Sequence, residues 1–360
     1  MPTQGTNRPS LHGGSFDEFI AIVQKHFCTI AERNHQSPAN LVHLETSCVN
    51  FLFSGSLDGE HIILKGNLFG RSMLYAYEQF LEKGRDGFVH FLQDDLSTVV
   101  EILREAKELE FLGSLGLQVP VVKGHVEPNM MFLGKIEGVS LDQCFGEKYA
   151  MKLASTLRVV HTAPAPPHLG TRRFIQAGTT LVLDDANFNE PVVIDDVSPK
   201  VLELLKSREG EECLLHGDFK ANNIIASDLG LSIIDPKLCI GLPYIDIGKF
   251  LLRTLLVAPY PRNDILYALR IFVQSYAQRM GIDSEKVEQA AIVCGLVELA
   301  HLLSRPRRSH IEILGKEMPQ LYDISDLVSH LSWLVLHEGN LLTIERLSFV
   351  MDDFYRQTST

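Results

Sequence analysis

Between Cys213 and Phe250 the chain reads CLLHGDFKANNIIASDLGLSIIDPKLCIGLPYIDIGKF. Asp218 stands five residues before Asn223, Asp235 closes a short apolar run, and Asp246 follows eleven residues later. Moving a phosphoryl group from a nucleotide needs a base that orients an acceptor hydroxyl. It also needs hard oxygen ligands that hold magnesium against the phosphates. A loop Asp, an Asn five residues on and an Asp at a strand end supply those groups. Taken singly the signals are weak, since His-Gly-Asp is short and Asp before Pro is a common turn. The joint pattern carries the weight.

The elements that must position these residues follow from pattern. Ser15, with Glu18 three residues on, reads as a capping box opening a helix that runs to about Arg33. In VNFLFSGSLDGEHIILKG two β-rich runs flank Asp58-Gly59, a hairpin turn signal. Helical spacing follows from Ser72 to Lys83, then a break at GRDG, then a helix from about Thr98 to Leu115. The stretch QVPVVKGHVEPNMMFLGKIEGVSL adds two strands. Beyond Gly138 helices dominate: Glu147–Thr162, Pro199–Lys206 behind Ser198, Asn263–Met280, Ser284–Leu303, Ile324–Leu336 and Leu341–Tyr355. Residues 163–197, rich in Pro, Gly and Asp, read as a long irregular connection. The Arg305–Arg308 run RPRR reads as a solvated helix end. A small β-rich part followed by a mainly helical one predicts an α+β chain with two lobes, 15–137 and 138–360, behind a disordered leader, 1–14.

Composition narrows the partners. The chain has 360 residues, 45% hydrophobic and 22% charged, enough for one large domain or two lobes with real cores. A net charge of -12 argues against non-specific nucleic-acid binding and mildly favours a cationic partner. No apolar run approaches the roughly 18 residues of a membrane span, and the first residues lack a signal-peptide pattern. Six scattered cysteines without a C-x-x-C pair fit reduced thiols. The expectation is a cytoplasmic monomer or homodimer that binds neither nucleic acid nor membrane.

The segment from Cys213 to Phe250 resembles the catalytic segment of the aminoglycoside phosphotransferase and choline kinase superfamily, small-molecule kinases with a protein-kinase-like fold. The resemblance is specific there, diffuse over the rest of residues 40–305, and absent from the last fifty. It implies a bilobal fold with a nucleotide-binding lobe and a catalytic, acceptor-binding lobe. Asp218 would be the catalytic base. Lys220, placed as in the D-x-K of protein kinases, would neutralise charge on the transferring group. Asn223 and Asp235 would hold Mg2+. His216 would prop the loop, and Asp246 would brace it. Lys65, ending the strand HIILK, would meet the α- and β-phosphates of ATP or GTP. Glu105 would orient that lysine, with Glu101 and Glu108 nearly on the same helical face. Ser47 and Asn50, in a turn that lacks the family's usual glycine, would donate hydrogen bonds to phosphate. Backbone groups of Phe132, Leu133 and Gly134 would bind adenine, with Val119, Met131 and Ile234 around it.

Three departures shape the reading: the glycine-free turn ETSCVN, about forty residues between Lys65 and Glu105, and Asp235-Pro236-Lys237 where protein kinases have D-F-G. Several aminoglycoside kinases share I-D-P-K, which points to small-molecule acceptors and away from protein substrates. The resulting expectation is a kinase that phosphorylates a hydroxyl of an aminoglycoside-like molecule, sugar, nucleoside or amino alcohol. For a cationic acceptor, Glu298, Asp352 and Asp353 would form a negative pocket. The alternative is an inactive kinase fold that binds nucleotide as a regulatory module.

Overall fold

Ser15 caps the first helix, α1 (Phe16–Arg33), by accepting a hydrogen bond from the Glu18 N–H at 3.1 Å, one of the donors a helix start leaves unpaired. Glu18 turns its carboxylate to Arg85, at 3.4 Å, where a capping box was expected. The computed structural model describes residues 15–44, 50–66, 68, 73–93, 100–126, 130–167, 169–185, 191–208, 210–257, 263–304 and 325–358. The leader 1–14, Ser47 and the RPRR run lie outside the described residues. Contacts divide the chain into two units. One takes the described residues up to Glu110 together with Pro120–Lys135, and the other Phe111–Val119 and the described residues from Ile136 onward.

In the first unit α1 is followed by β1 (Ala39–His43), β2 (Phe51–Leu57), β3 (Glu60–Gly66), α2 (Met73–Gln93), most of α3 (Val100–Ser114, whose residues from Phe111 belong to the second unit), β4 (Val122–Val126) and β5 (Met130–Gly134). The strands form one antiparallel sheet in the order β1-β2-β3-β5-β4. Leu57 pairs with Glu60 across a two-residue turn whose Asp58 and Gly59 both have positive φ, 51° and 83°. That is the primed turn whose twist matches the strands it joins. The buried stripe of α1 packs aromatically, the Phe19 ring lying 5.0–5.8 Å from those of Phe51, Tyr77, Phe80 and Phe88. The break expected after Lys83 is confined to Gly84, which takes φ 67° and ψ 175° before the helix resumes to Gln93.

The second unit adds β6 (Val139–Ser140), α4 (Glu147–Thr162), β7 (Thr171–Ala177), β8 (Thr180–Asp185), β9 (Val192–Ile194), α5 (Pro199–Lys206), β10 (Cys213–Leu215), β11 (Ile224–Ser227), β12 (Gly230–Ile233), β13 (Cys239–Gly241), α6 (Tyr244–Val257), α7 (Asn263–Met280) and α8 (Ser284–Ser304). Helices Ser325–Ser332 and Ile344–Thr358 follow. The expectation of an irregular connection over 163–197 is corrected. This stretch supplies β7, β8 and β9 of a five-stranded sheet ordered β10-β13-β7-β8-β9. Its turn residues sit in the loops, and the inward position of β7 is an arginine, Arg172, so the apolar alternation that betrays a strand is broken. A three-stranded sheet, β12-β11-β6, carries the segment that ends at Asp235.

Helices α6 and α8 touch backbone to backbone. A Cβ added to Gly248 would fall 2.0 Å from Ala291 O, and one added to Gly295 would fall 2.6 Å from Gly248 O. The aromatic side chains Phe145, Phe219 and Phe272 pack around Phe250 of α6 at 5.2–5.7 Å. Among the described residues no helix is long and apolar enough to cross a membrane, and the five described cysteines form no disulfide. Gly248→Ala is expected to destabilise the protein by about 1–3 kcal/mol through overpacking. Gly146→Ser, where nothing lies within 4 Å, should leave stability unchanged. Urea unfolding of both variants checks this, and equal midpoints would show that the helices can part at little cost.

Candidate active site

Strand β10 delivers the chain into His216-Gly217-Asp218-Phe219-Lys220, and a single 3₁₀ turn, Ala221–Asn223, leads on to β11. Gly217 has φ 80°, and a Cβ there would lie 2.0 Å from Lys237 O, so only glycine fits. Asp246, at the start of α6, accepts the N–H groups of His216 at 2.7 Å and Gly217 at 3.0 Å. His161 Nε2 lies 3.3 Å from the same carboxylate, and His161 Nδ1 lies 2.7 Å from the Tyr276 hydroxyl. Burial alone would raise the Asp246 pKa. The His161 bond and charge, with the His216 side chain and N–H, reverse this and hold it below the usual carboxylate value. Phe219, fully buried against Phe250, anchors the loop from its other side. His216 Nδ1 accepts the Asp218 N–H at 3.3 Å, and burial lowers the pKa of this ring despite the carboxylates around it.

The loop presents Asp218, only 7% exposed, to two ammonium groups. Lys220 Nζ is 2.8 Å from Oδ2 and Lys249 Nζ is 3.4 Å from Oδ1. Asn223 Nδ2 donates to Asp218 O at 2.9 Å and to Oδ2 at 3.1 Å. Burial opposes ionisation here too, but Lys249, Lys220 and Lys237 outweigh it and keep the carboxyl well below its ordinary range. Burial likewise lowers the Lys220 pKa, against the pull of Asp218.

The sequence reading missed Lys249 and Arg172 behind Asp218 and gave Glu298 a different role. Lys249 Nζ also contacts Gly217 O at 3.0 Å and Glu298 Oε2 at 2.8 Å. Arg172 Nη1 contacts Glu298 Oε1 at 2.6 Å and Gly217 O at 3.2 Å. Glu298 therefore does not line a negative pocket, as expected for a cationic acceptor, but is buried between two cations. Asp352 and Asp353 are half-buried on the last helix. The available signal was Lys249 itself, a charge three residues after Asp246 in a mainly apolar helical run that also holds Arg253.

The sequence model of the phosphotransferase enzyme family matches residues 81–279, more than half of the chain. The chain belongs to that family. No curated protein matches it in sequence. Solved structures resemble it at low identity. A candidate fructosamine-3-kinase from Thermobifida fusca is 17% identical, with TM-score 0.48 over 79% of this chain and 94% of the other. A candidate fructosamine-3-kinase from Haemophilus somnus is 13% identical, with TM-score 0.47 over 87% and 99%. An aminoglycoside phosphotransferase from Streptomyces rimosus, solved with ADP and streptomycin, is 15% identical, with TM-score 0.44 over 81% and 98%. This family member has the expected α+β architecture, with a smaller unit built on one five-stranded sheet and a larger, mainly helical unit.

In the first unit of this phosphotransferase, Lys65 Nζ on β3 meets Glu105 Oε2 on α3 at 2.5 Å, both side chains buried. Glu108 pairs with Arg104 at 2.6 Å, and the Glu101 side chain lies outside the described residues. Asn50 is half-buried just before β2. Phe132 and Leu133 are buried on β5, an interior strand, and the Gly134 N–H donates to Val121 O at 2.8 Å. The sheet thus takes up backbone groups of Phe132–Gly134 that were expected to bind adenine. In the second unit Ile234 is half-buried, and its N–H donates to Asn223 O at 3.0 Å.

Asn223 and Asp235 suit magnesium. Ile224 pairs with Ile233, so the two residues leave the same end of the β11–β12 hairpin. Asn223 directs its Nδ2 at Asp218, so Oδ1 is the atom it would offer a metal. Two hard oxygens are a set that magnesium accepts when phosphate oxygens and waters complete its shell.

Asp246→Asn is expected to cost on the order of 3 kcal/mol at pH 7, since charge-assisted bonds to two loop N–H groups weaken. The Asp246 pKa is depressed on folding. Its contribution is therefore fully present above the unfolded value of about 4 and lost as pH falls through the folded value. Unfolding curves of both proteins from pH 3 to 8 should converge only at the acid end. A gap independent of pH would contradict the assignment.

Proposed function

We propose that this phosphotransferase moves the γ-phosphate of ATP, or GTP, to a hydroxyl of a small molecule. The observation that carries the reading is the Asp218 carboxylate, kept ionised by flanking lysines and oriented by Asn223 in a glycine-formed loop. The acceptor hydroxyl would hydrogen-bond to Asp218, its oxygen attacking the γ-phosphorus while the bond to the nucleoside diphosphate breaks. The proton passes to Asp218 as the new P–O bond forms. A carboxylate held this far below its usual range is a weak base, which suits it to aiming the hydroxyl and taking the proton late.

Lys65, steadied by Glu105, would meet the α- and β-phosphates, and Lys220 would share the charge on the transferring group. Asn223 and Asp235 would hold Mg2+, which when bound neutralises phosphate charge. On this reading residues 15–137 form the nucleotide-binding lobe and 138–360 the catalytic lobe of a cytoplasmic enzyme, monomeric or dimeric. The acceptor class spans aminoglycosides, sugars, nucleosides and amino alcohols.

Purified protein with magnesium, ATP or GTP and a panel of those acceptors should release ADP or GDP only with the right acceptor. Asp218→Ala should lower kcat by about 10²–10⁴-fold and leave nucleotide affinity nearly intact. Lys65→Met should weaken nucleotide binding by roughly tenfold or more. Nucleotide binding without turnover on any acceptor would favour the regulatory alternative, and an Asp218→Ala enzyme at full rate would sink the assignment of the base.

A further inference from the structure

Lys249 reaches the catalytic loop from α6 and has no donor to spare. An ammonium group carries three N–H donors and no acceptor. Its three neighbours are Asp218 Oδ1 at 3.4 Å, Gly217 O at 3.0 Å and Glu298 Oε2 at 2.8 Å. Arg172 Nη1 repeats two of these contacts, to Glu298 Oε1 and Gly217 O. The carbonyl of Gly217 therefore receives two cations, while its N–H is held by Asp246 Oδ1. Lys220 stands differently: it meets the other oxygen of Asp218, and its side chain is 19% exposed against 7% for Lys249.

We infer that Lys249 is a positioning residue for phosphoryl transfer, the fixed counter-charge on Asp218 Oδ1, itself held by Glu298 and Arg172. This rests on the reading of Asp218 as the group that aims the acceptor hydroxyl. The two lysines then divide the work. Lys249, buried and bound to Glu298, stays with Oδ1 throughout the reaction. Lys220 shares Oδ2 with Asn223 and is free to turn to the transferring phosphoryl group, which leaves room at Oδ2 for the incoming hydroxyl.

Charge bookkeeping favours Lys249→Met as the probe. Without Lys249 the remaining groups still close into two pairs, Arg172 with Glu298 and Lys220 with Asp218, so no buried charge is stranded. The experiment measures ADP release from magnesium–ATP with the acceptor found in the panel. It compares wild type, Lys249→Met, Asp218→Ala and the double variant.

Lys249→Met is expected to lower kcat by roughly ten- to a hundredfold with little change in KM for ATP. In the double variant it should add nothing to the loss from Asp218→Ala, because it acts through that carboxylate. Lys249→Gln, which keeps a donor for Gly217 O but not the charge, should show the same split. An unchanged kcat in Lys249→Met, with Asp218→Ala slow, overturns this inference alone. So does a Lys249→Met loss of equal factor with and without Asp218, which is what general damage to the fold gives. An Asp218→Ala variant as fast as wild type overturns the reading of Asp218 and this inference with it.

Discussion

A carboxylate that must stay ionised where little water reaches it needs counter-charges that cannot drift away. Removing a charge from water costs several kcal/mol even after relaxation. Asp218 is in that position, and the residues around the loop answer it. Helix α6 does most of this. Asp246 and Lys249, three residues apart and so on one face, hold respectively the loop's N–H groups and its carbonyl and carboxylate. Phe219, between Asp218 and Lys220 in sequence, ties the same loop to Phe250 of that helix.

The surroundings of Asp218 are cationic. Lys220, Lys249 and Lys237 act on the carboxylate, and Arg253 adds its charge beside Lys220. The acidic lining expected for a polycationic acceptor loses its central member, because Glu298 is already neutralised by Arg172 and Lys249.

Much of this was legible in the sequence. The segment from His216 to Asp246 is read locally: the turn demands its glycine, the Asn lies one short turn from the Asp, and the β11–β12 hairpin closes within a dozen residues. The Asp58-Gly59 hairpin and the Ser15 cap are equally local. What could not be read depends on partners distant in sequence. Arg172 and Glu298 are 126 residues apart, and a lysine or glutamate on a helix ordinarily reads as solvated. Strand β7 was hidden by the same arginine, since a charged residue at the inward position erases the period that marks a strand. Backbone commitments of Phe132–Gly134 emerged only once β5 proved to be an interior strand.

The contact of Gly248 with Gly295 sets how far these groups can vary. Lys249 follows the first glycine and Glu298 stands one helical turn beyond the second, so their separation is fixed by main-chain contact and hardly by rotamers. Any lineage that enlarged either glycine would push the two helices apart and stretch the ion pair with them. The groups that hold the Asp218 loop therefore depend on two side chains that consist of a hydrogen atom.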